Sequence, residues 1–474
     1  MSTLRQNTFR AFSWDFGASI LKGILGFTIT VFLARLVAPH DFGVVAIALA
    51  IIGFSEIFIE GGFSKAIIQM DSRSEKIYSS VFIFNLAVGL FISILCFLFG
   101  NIIQSVFEVH GLGWVIKAMS PVFVLNSINV VQITLLHKSL NFKTLVSLEI
   151  ISLVFSGGVA VLLALNGMGL YSLVTQHLLY ATIFSITIWY KSSWYPKSYF
   201  SMDSLRSLAG FSSYVFLSNV LANVFKRLDV LIIGKLFDPS FLGNYSKAQS
   251  LKNQIGMYSS SSFQKVFFPV LASVKSEEKR FALIFEKAIA IISFISFLLA
   301  GSLFAISEPL ILGLYGQNWT DAVWVFQIVV LSAVNMPFNS MFVNALNSKG
   351  LSKHNFWIGL FRKAVRLVSF VILIWFGVKW FLWSVVIISF GLTLFNFILV
   401  GRILSLNLKN SLKNISISLM PFLSLVLLVY FEVYLPINDL VLGTMYVLIY
   451  LLFNFIFKSQ GLGELRLAAK SYLK

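Results

Sequence analysis

The sequence predicts an all-α polytopic membrane protein of about fourteen transmembrane helices with both ends in the cytoplasm. Three observations predict it. Of 474 residues, 58% are hydrophobic and only 12% are charged. A soluble domain carries about a quarter charged residues, so no one or two soluble cores would bury this much apolar side chain. Apolar stretches of about twenty residues recur along the chain, each long enough to cross a bilayer at roughly 1.5 Å of rise per residue. The Lys and Arg residues fall in the short breaks between these stretches, mostly on one side.

The elements follow in order. The start is short and basic (Arg5, Arg10) and then apolar, like a signal peptide. Asp15 and Lys22 interrupt that run, which continues to Leu33, so residues 12–34 read as an uncleaved first span. Spans two to six cover 42–67, 77–100, 112–136, 143–165 and 169–190. Spans seven to twelve cover 209–234, 241–271, 281–306, 321–346, 355–376 and 380–401, and a last pair covers 414–434 and 439–457. The third, sixth, ninth and twelfth are the cleanest apolar runs. The eighth is the least apolar, being rich in Ser, Gln and Lys.

Orientation follows from the basic residues. With the N-terminus inside, 27 of the 36 Lys and Arg fall to the inner side, counting Arg362, Lys363 and Arg366 near the inner end of span eleven. Four fall outside (Arg35, Lys117, Lys235, Lys379) and five within spans (Lys22, Lys226, Arg227, Lys247, Lys252). The positive-inside rule then places both termini in the cytoplasm. The formal charge of +17 is spread over these breaks, without the domain-sized basic patch that nucleic-acid binding needs. The loops leave no room for an extramembrane domain. The single cysteine, Cys96, lies in an apolar run and reads as a small hydrophobe. The five His (His40, His110, His137, His177, His354) are scattered without metal spacing, and no catalytic motif is present.

An internal repeat organises the spans. ARLVAPHDFG (34–43) aligns without gaps with GKLFDPSFLG (234–243), matching Leu36 with Leu236, Pro39 with Pro239 and Gly43 with Gly243. The same offset of 200 pairs Arg35 with Lys235, Phe63 with Phe263 and Lys65 with Lys265. Span one thus corresponds to span seven and span two to span eight, a parallel repeat of two six-helix halves. The expected division is an N-terminal lobe at 1–200, a C-terminal lobe at 201–405, and helices thirteen and fourteen with a cytoplasmic tail at 406–474. Pro121 in span four and Pro337 in span ten occupy equivalent spans and interrupt backbone hydrogen bonding there.

Charges inside the spans are the candidate functional residues, because they are costly in hydrocarbon and face protein or water. Span one carries Asp15, Ser19, Lys22, Gly26 and Thr30 on one helical face, with Lys22 roughly 15 Å deep. Span two carries Gly53, Glu56, Glu60 and Ser64. Span seven carries Asn219, Asn223 and Lys226, flanked by Arg227 and Asp229. Span eight carries Tyr245, Gln249, Lys252, Gly256 and Ser260, and span eleven Arg362 and Arg366 one turn apart. One reading is a water-filled cavity between the halves. Lys22, Lys226, Arg227, Lys252, Arg362 and Arg366 would bind an anion such as a pyrophosphate, while Asp15, Glu56, Glu60 and Asp229 balance charge or carry a coupling ion. The other reading is structural pairing, of Asp15 with Lys22 or of Asp229 with Lys226 across one turn.

Four segments carry a family resemblance: LARLVAPHDFG (33–43), LLHKSLNFKTL (135–145), LYGQNWTDA (314–322) and LNSKGLSKH (346–354). Their order and placement resemble the polysaccharide-transporter branch of the multidrug/oligosaccharidyl-lipid/polysaccharide (MOP) flippase superfamily. The resemblance covers essentially the whole chain. It implies a MATE-like fold of two six-helix bundles plus two C-terminal helices, set in a bacterial inner membrane. It implies a transporter, not an enzyme, that flips undecaprenyl-pyrophosphate-linked oligosaccharide repeat units to the outer leaflet by alternating access. No cofactor is implied, only coupling to H+ or Na+. Expected partners are the lipid-linked oligosaccharide, membrane lipids, a polysaccharide polymerase and a chain-length regulator, with the protein itself a monomer.

Two alternatives stand beside this reading. A cation-coupled multidrug exporter of the same superfamily would handle cationic substrates, which a net positive cavity disfavours. A membrane polysaccharide polymerase or ligase would carry a large outer loop with catalytic residues, and the outer loops here are short.

Overall fold

The computed structural model describes residues 2–60, 63–70, 74–432 and 438–472. Among these every regular element is helical. The chain divides into two compact units, Met1–Ser246 and Lys247–Lys474.

The first unit holds α1 (Ser2–Leu36), α2 (Pro39–Glu60), α3 (Phe63–Gln69), α4 (Glu75–Phe107), α5 (Leu112–Met119), α6 (Pro121–Lys138), α7 (Phe142–Leu165), α8 (Gly169–Lys191) and α9 (Met202–Leu236). It also holds the start of α10 (Pro239–Ser273), which continues into the second unit. The second unit adds α11 (Glu278–Ala305), α12 (Ser307–Tyr315), α13 (Thr320–Leu331), α14 (Asn335–Ser348) and α15 (Ser352–Phe376). It closes with α16 (Val378–Ile403), α17 (Lys409–Glu432), α18 (Asp439–Ile456) and α19 (Gln460–Tyr472).

Eight helical stretches among the described residues are long and apolar enough to cross a membrane. With the recurrent apolar segments of the sequence they make this a multi-pass membrane protein. The other expected spans (42–67, 169–190, 209–234, 241–271, 355–376 and 414–434) coincide with helical residues whose described stretches do not combine that length with that hydropathy.

The repeat is visible in how helices start. α2 opens on Pro39 and α10 on Pro239, each at a position where the missing N–H costs nothing and the fixed φ suits a helix. Four residues on, Gly43 and Gly243 each meet the other copy's proline. A Cβ on Gly43 would lie 1.8 Å from the Pro239 carbonyl oxygen, and one on Gly243 would lie 1.9 Å from that of Pro39. The contact is reciprocal, as a two-fold relation between copies requires.

The two prolines act as their chemistry dictates. Pro121 opens α6 directly after α5. Ser120 between them stays helical (φ −57°, ψ −32°), and its N–H reaches only back three residues, to Lys117 O. Span four is therefore one helical path with an interrupted ladder. Pro337 lies in the first turn of α14, directly after a 3-10 turn at Ser332–Val334. Span two is helical over Pro39–Glu60 and again over Phe63–Gln69, the described residues on either side of 61–62.

In the first unit a core forms around Phe63, Ile67, Tyr78, Val81 and Val131, edged by Trp189 and Trp194. Lys138, at the end of α6, donates to the carbonyls of Ile67 (2.9 Å) and Met70 (2.8 Å), closing the end of α3. Asn141 caps α7 through Thr144 N (3.3 Å). In the second unit α11 is the central post, with α13, α14, α17, α18 and α19 packed around it. Tyr446 and Tyr450 of α18 donate to the carbonyls of Phe297 and Phe294, both at 2.9 Å. Residues 458–474, expected as a tail, contain α19. Its Gly461 presses on the Ala290 carbonyl and its Glu464 pairs with Lys287 at 2.8 Å.

Candidate substrate site

Within the first unit, α1 packs along α7, and small residues allow the approach. A Cβ on Gly157 would come within 2.4 Å of Ile29, and Gly26 lies beside Leu153. On this seam Lys22 Nζ donates to Glu149 Oε2 at 2.7 Å. Neither side chain is sealed off, with relative exposures of 37% and 22%. Pairing removes most of the cost of holding a cation in the membrane, while the remaining exposure leaves the ammonium reachable. The sequence reading offered Asp15 as the structural partner of Lys22. The side chain of Asp15 lies outside the described residues, as do those of Glu56 and Glu60. Glu149 itself was passed over, although it is an isolated carboxylate in the apolar run of span five. That anomaly was the available signal.

On α9, Lys226 is exposed. Arg227 turns into the protein and its Nη1 donates to the Leu49 carbonyl of α2 at 2.8 Å. Gly53, one turn along, makes the seat for this guanidinium, since a Cβ there would lie 1.8 Å from Nη2. Asp229 is buried and accepts from the Tyr245 hydroxyl at 2.8 Å. Among the described residues it makes no ion pair with Lys226, so the expected one-turn pairing is replaced by a tie between α9 and the start of α10.

In the last turn of α9, Lys235 bonds Glu108 at 2.6 Å. The hydrogen bond and charge of Lys235 hold this exposed carboxyl below its ordinary range.

Within the second unit, Lys247 and Lys252 of α10 are both buried. Lys247 Nζ stands 6.0 Å from the ring centre of Trp319, itself fully buried. The tryptophan of the LYGQNWTDA segment therefore covers a cation inside the membrane domain. Gly256, from the polar stripe of span eight, lies against Met336, where a Cβ would meet Sδ at 2.1 Å. The side chain of Ser260, at the end of that stripe, lies outside the described residues. The pair on α15 divides. Arg362 is half-buried, and its Nη1 donates to Asn339 Oδ1 at 2.8 Å, an oxygen that also accepts from Asn396 at 3.3 Å. Arg366, one turn on, is exposed.

The sequence-selected cations thus fall into two groups. Arg227, Arg362 and Lys252 are set in protein, the first two engaged by a carbonyl and an asparagine and the third buried. Lys22, Lys226 and Arg366 keep reachable heads, and only Lys22 of these three has a carboxylate partner among the described residues.

Fold and site together define a multi-pass helical membrane protein whose spans carry cations set in protein. The chain belongs to the family described as "Polysaccharide biosynthesis protein", whose profile matches residues 32–324. The succinoglycan biosynthesis transport protein ExoT of Rhizobium meliloti (strain 1021) is 26% identical over 71% of this chain and 68% of its own. The lipopolysaccharide biosynthesis protein WzxC of Escherichia coli (strain K12) is 21% identical over 72% of this chain and 70% of its own. In structure, the chain has the fold of the lipid II flippase MurJ in its inward closed conformation. The TM-score is 0.72 at 16% identity, covering 94% of this chain and 98% of that one.

Proposed function

We propose that this protein flips undecaprenyl-pyrophosphate-linked oligosaccharide repeat units from the cytoplasmic to the outer leaflet of a bacterial inner membrane, for surface polysaccharide assembly. Membership of a polysaccharide biosynthesis family and a flippase fold support the reading. The 27-to-4 bias of basic residues supports fourteen spans with both termini inside.

The observation that carries the mechanism is the Lys22–Glu149 pair. Glu149 neutralises Lys22. An arriving pyrophosphate offers more charge and more acceptor oxygens than one carboxylate and draws the ammonium to itself. On release Lys22 returns to Glu149, so the bound state is not over-stabilised. The anionic head crosses the low-dielectric layer against fixed cations, while the prenyl tail stays in lipid. The protein works by alternating access as a monomer, with a lobe at 1–200, a lobe at 201–405 and an added pair after 406. H+ or Na+ supplies the drive, and polymerase and chain-length regulator take the product.

Deletion of the gene should abolish the surface polysaccharide and leave undecaprenyl-linked units on the cytoplasmic face. Lys22→Ala should produce the same defect with the protein still present in the membrane. Normal delivery of units to the outer leaflet after deletion refutes the reading. Normal delivery by Lys22→Ala removes Lys22 from the site.

A further inference from the structure

The first unit contains a cavity of about 370 Å³ that the cation site does not use. It lies where α2, α3, α6 and α8 meet, and it has the size of small-molecule sites. Its polar lining comes from Ser64, Asn126, Asn129, Thr134 and His137, with Phe184 as an aromatic wall. None of the described side chains that line it is Lys, Arg, Asp or Glu. From Asn126 to His137 the polar groups run along α6 for about 16 Å.

Two features distinguish this space from a packing defect. The first is unused hydrogen-bonding capacity. Asn129 is 1% exposed, and its Nδ2 donates to Ser185 Oγ at 2.8 Å, but its Oδ1 accepts nothing among the described residues. Gln132 on the next turn of α6 and Asn85 on α4 also bury amides with no partner there. A buried amide oxygen without a partner costs on the order of 1–3 kcal/mol even in soluble proteins, and hydrocarbon offers no water to relieve it. The second is a rigid frame. Lys138, next to His137, is fixed to the carbonyls of Ile67 and Met70, and the His137 ring leans edge-on against Phe142. α4 and α6 touch so closely that a Cβ on Gly89 would lie 2.6 Å from Ser127. The cavity is therefore held open by the packing of its walls.

The geometry points to a binding subsite for a neutral, polyhydroxylated ring: a sugar residue of the lipid-linked oligosaccharide. This inference rests on the function proposed above and assigns its sugar end. Uncharged amide and hydroxyl groups match sugar hydroxyls, which both donate and accept. Thr134 Oγ1 already donates to Val130 O at 2.7 Å and so offers its lone pairs. Asn129 Oδ1 accepts one hydroxyl, and Phe184 faces the apolar side of the ring. A pyrophosphate finds no cation here among the described lining, which separates this subsite from Lys22. The sugar next to the lipid carrier would then be selected by hydrogen bonding, and a site built that way rejects a ligand lacking the hydroxyls.

The test uses the full-length protein in lipid nanodiscs and two probes. One is undecaprenyl pyrophosphate carrying the host strain's own oligosaccharide, and the other is undecaprenyl pyrophosphate without sugar. The wild type should bind the sugar-bearing probe about tenfold or more tightly than the bare one. Asn129→Leu and Thr134→Val should bring the two affinities within about twofold of each other while leaving the bare probe unchanged. Thr134→Val keeps the side-chain shape and decides the matter alone if Asn129→Leu does not fold. Wild-type discrimination in Thr134→Val, or equal binding of both probes by the wild type, overturns the subsite and leaves the flippase reading standing. Binding of neither probe by the wild type overturns both.

Discussion

Replacing Gly43 with alanine should destabilise the first unit, and the structure sets the scale. The added Cβ would lie 1.8 Å from the Pro239 carbonyl oxygen and 2.6 Å from its carbon, both backbone atoms in the first turn of α10. Ordinary contact needs about 3.2 Å or more, so the two helix starts must separate by roughly 1.4 Å. Rotamer adjustment cannot relieve this, because no side chain is involved. Over-packing of this kind costs about 3 kcal/mol or somewhat more, against which alanine regains about 1 kcal/mol of helix propensity. A net loss of about 2 kcal/mol corresponds to a fall in melting temperature on the order of 5 °C. The assay is thermal unfolding of the purified protein in detergent, followed by loss of its monodisperse elution peak. Gly243→Ala should behave alike, since its Cβ meets Pro39 O at 1.9 Å. Once the helix starts have parted for one substitution the second costs little, so the double variant should lose much less than the sum. Gly359→Ala in α15, where nothing lies within 4 Å of the new Cβ, is the control and should melt at or slightly above the wild type. A Gly43→Ala protein that melts with the wild type refutes the packing argument.

Three further outcomes follow. Glu149→Gln should lower stability by about 1–2 kcal/mol, less than for a fully buried pair because both groups keep some exposure. Adding Lys22→Met should recover most of the loss in thermal unfolding without restoring transport, and additive losses would show that the pair is not coupled. Gly53→Ala should expel the Arg227 guanidinium from its place on the Leu49 carbonyl. Melting curves should therefore show Gly53→Ala with Arg227→Ala no less stable than Arg227→Ala alone, and a further drop would mean that Gly53 serves something else. The Glu108–Lys235 pair should give a pH-dependent term. Its carboxyl is held below the ordinary value of 4.5, so its contribution is complete above that pH and disappears as pH falls through the lowered value. The melting difference between wild type and Glu108→Gln should thus be present at pH 7 and absent in strong acid, and a difference that persists in acid would contradict the pairing.

Much of this arrangement is legible in the amino-acid chain because its signals are one-dimensional. The offset of 200 between Pro39 and Pro239 and between Gly43 and Gly243 marks a backbone contact that needs glycine's missing Cβ. Pro121 and Pro337 mark interruptions because the missing N–H is a property of the residue itself. Lys22, Arg227 and Arg362 announce themselves by their cost in hydrocarbon. Their partners are a different matter. Glu149 shares its helical face only with Ser152 and Ser156, a stripe too weak in charge to stand out, and its relation to Lys22 exists only across the seam of α1 and α7. The seat of Arg227 is a carbonyl and a bare glycine, which carry no charge signal at all. α19 follows three residues after α18 and is too polar to read as a span, yet Gly461 and Glu464 fasten it to α11. The cavity beside α6 was likewise hidden, because neutral Ser, Asn and Thr residues are common on membrane helices and only their convergence gives them meaning.

The Lys22–Glu149 pair also sets an order of events during synthesis. The two residues are 127 positions apart, so at about 5–20 residues per second the carboxylate emerges roughly 6–25 s after the lysine. During that interval span one sits in the bilayer without the Glu149 carboxylate, and a lysine at the centre of a span is a burden of about 3 kcal/mol on insertion scales. The long, flexible side chain must therefore point toward the nearer surface while it waits. Arrival of span five turns a marginal first span into a fastened one, so the N-terminal helix is made first and secured only when the fifth span arrives.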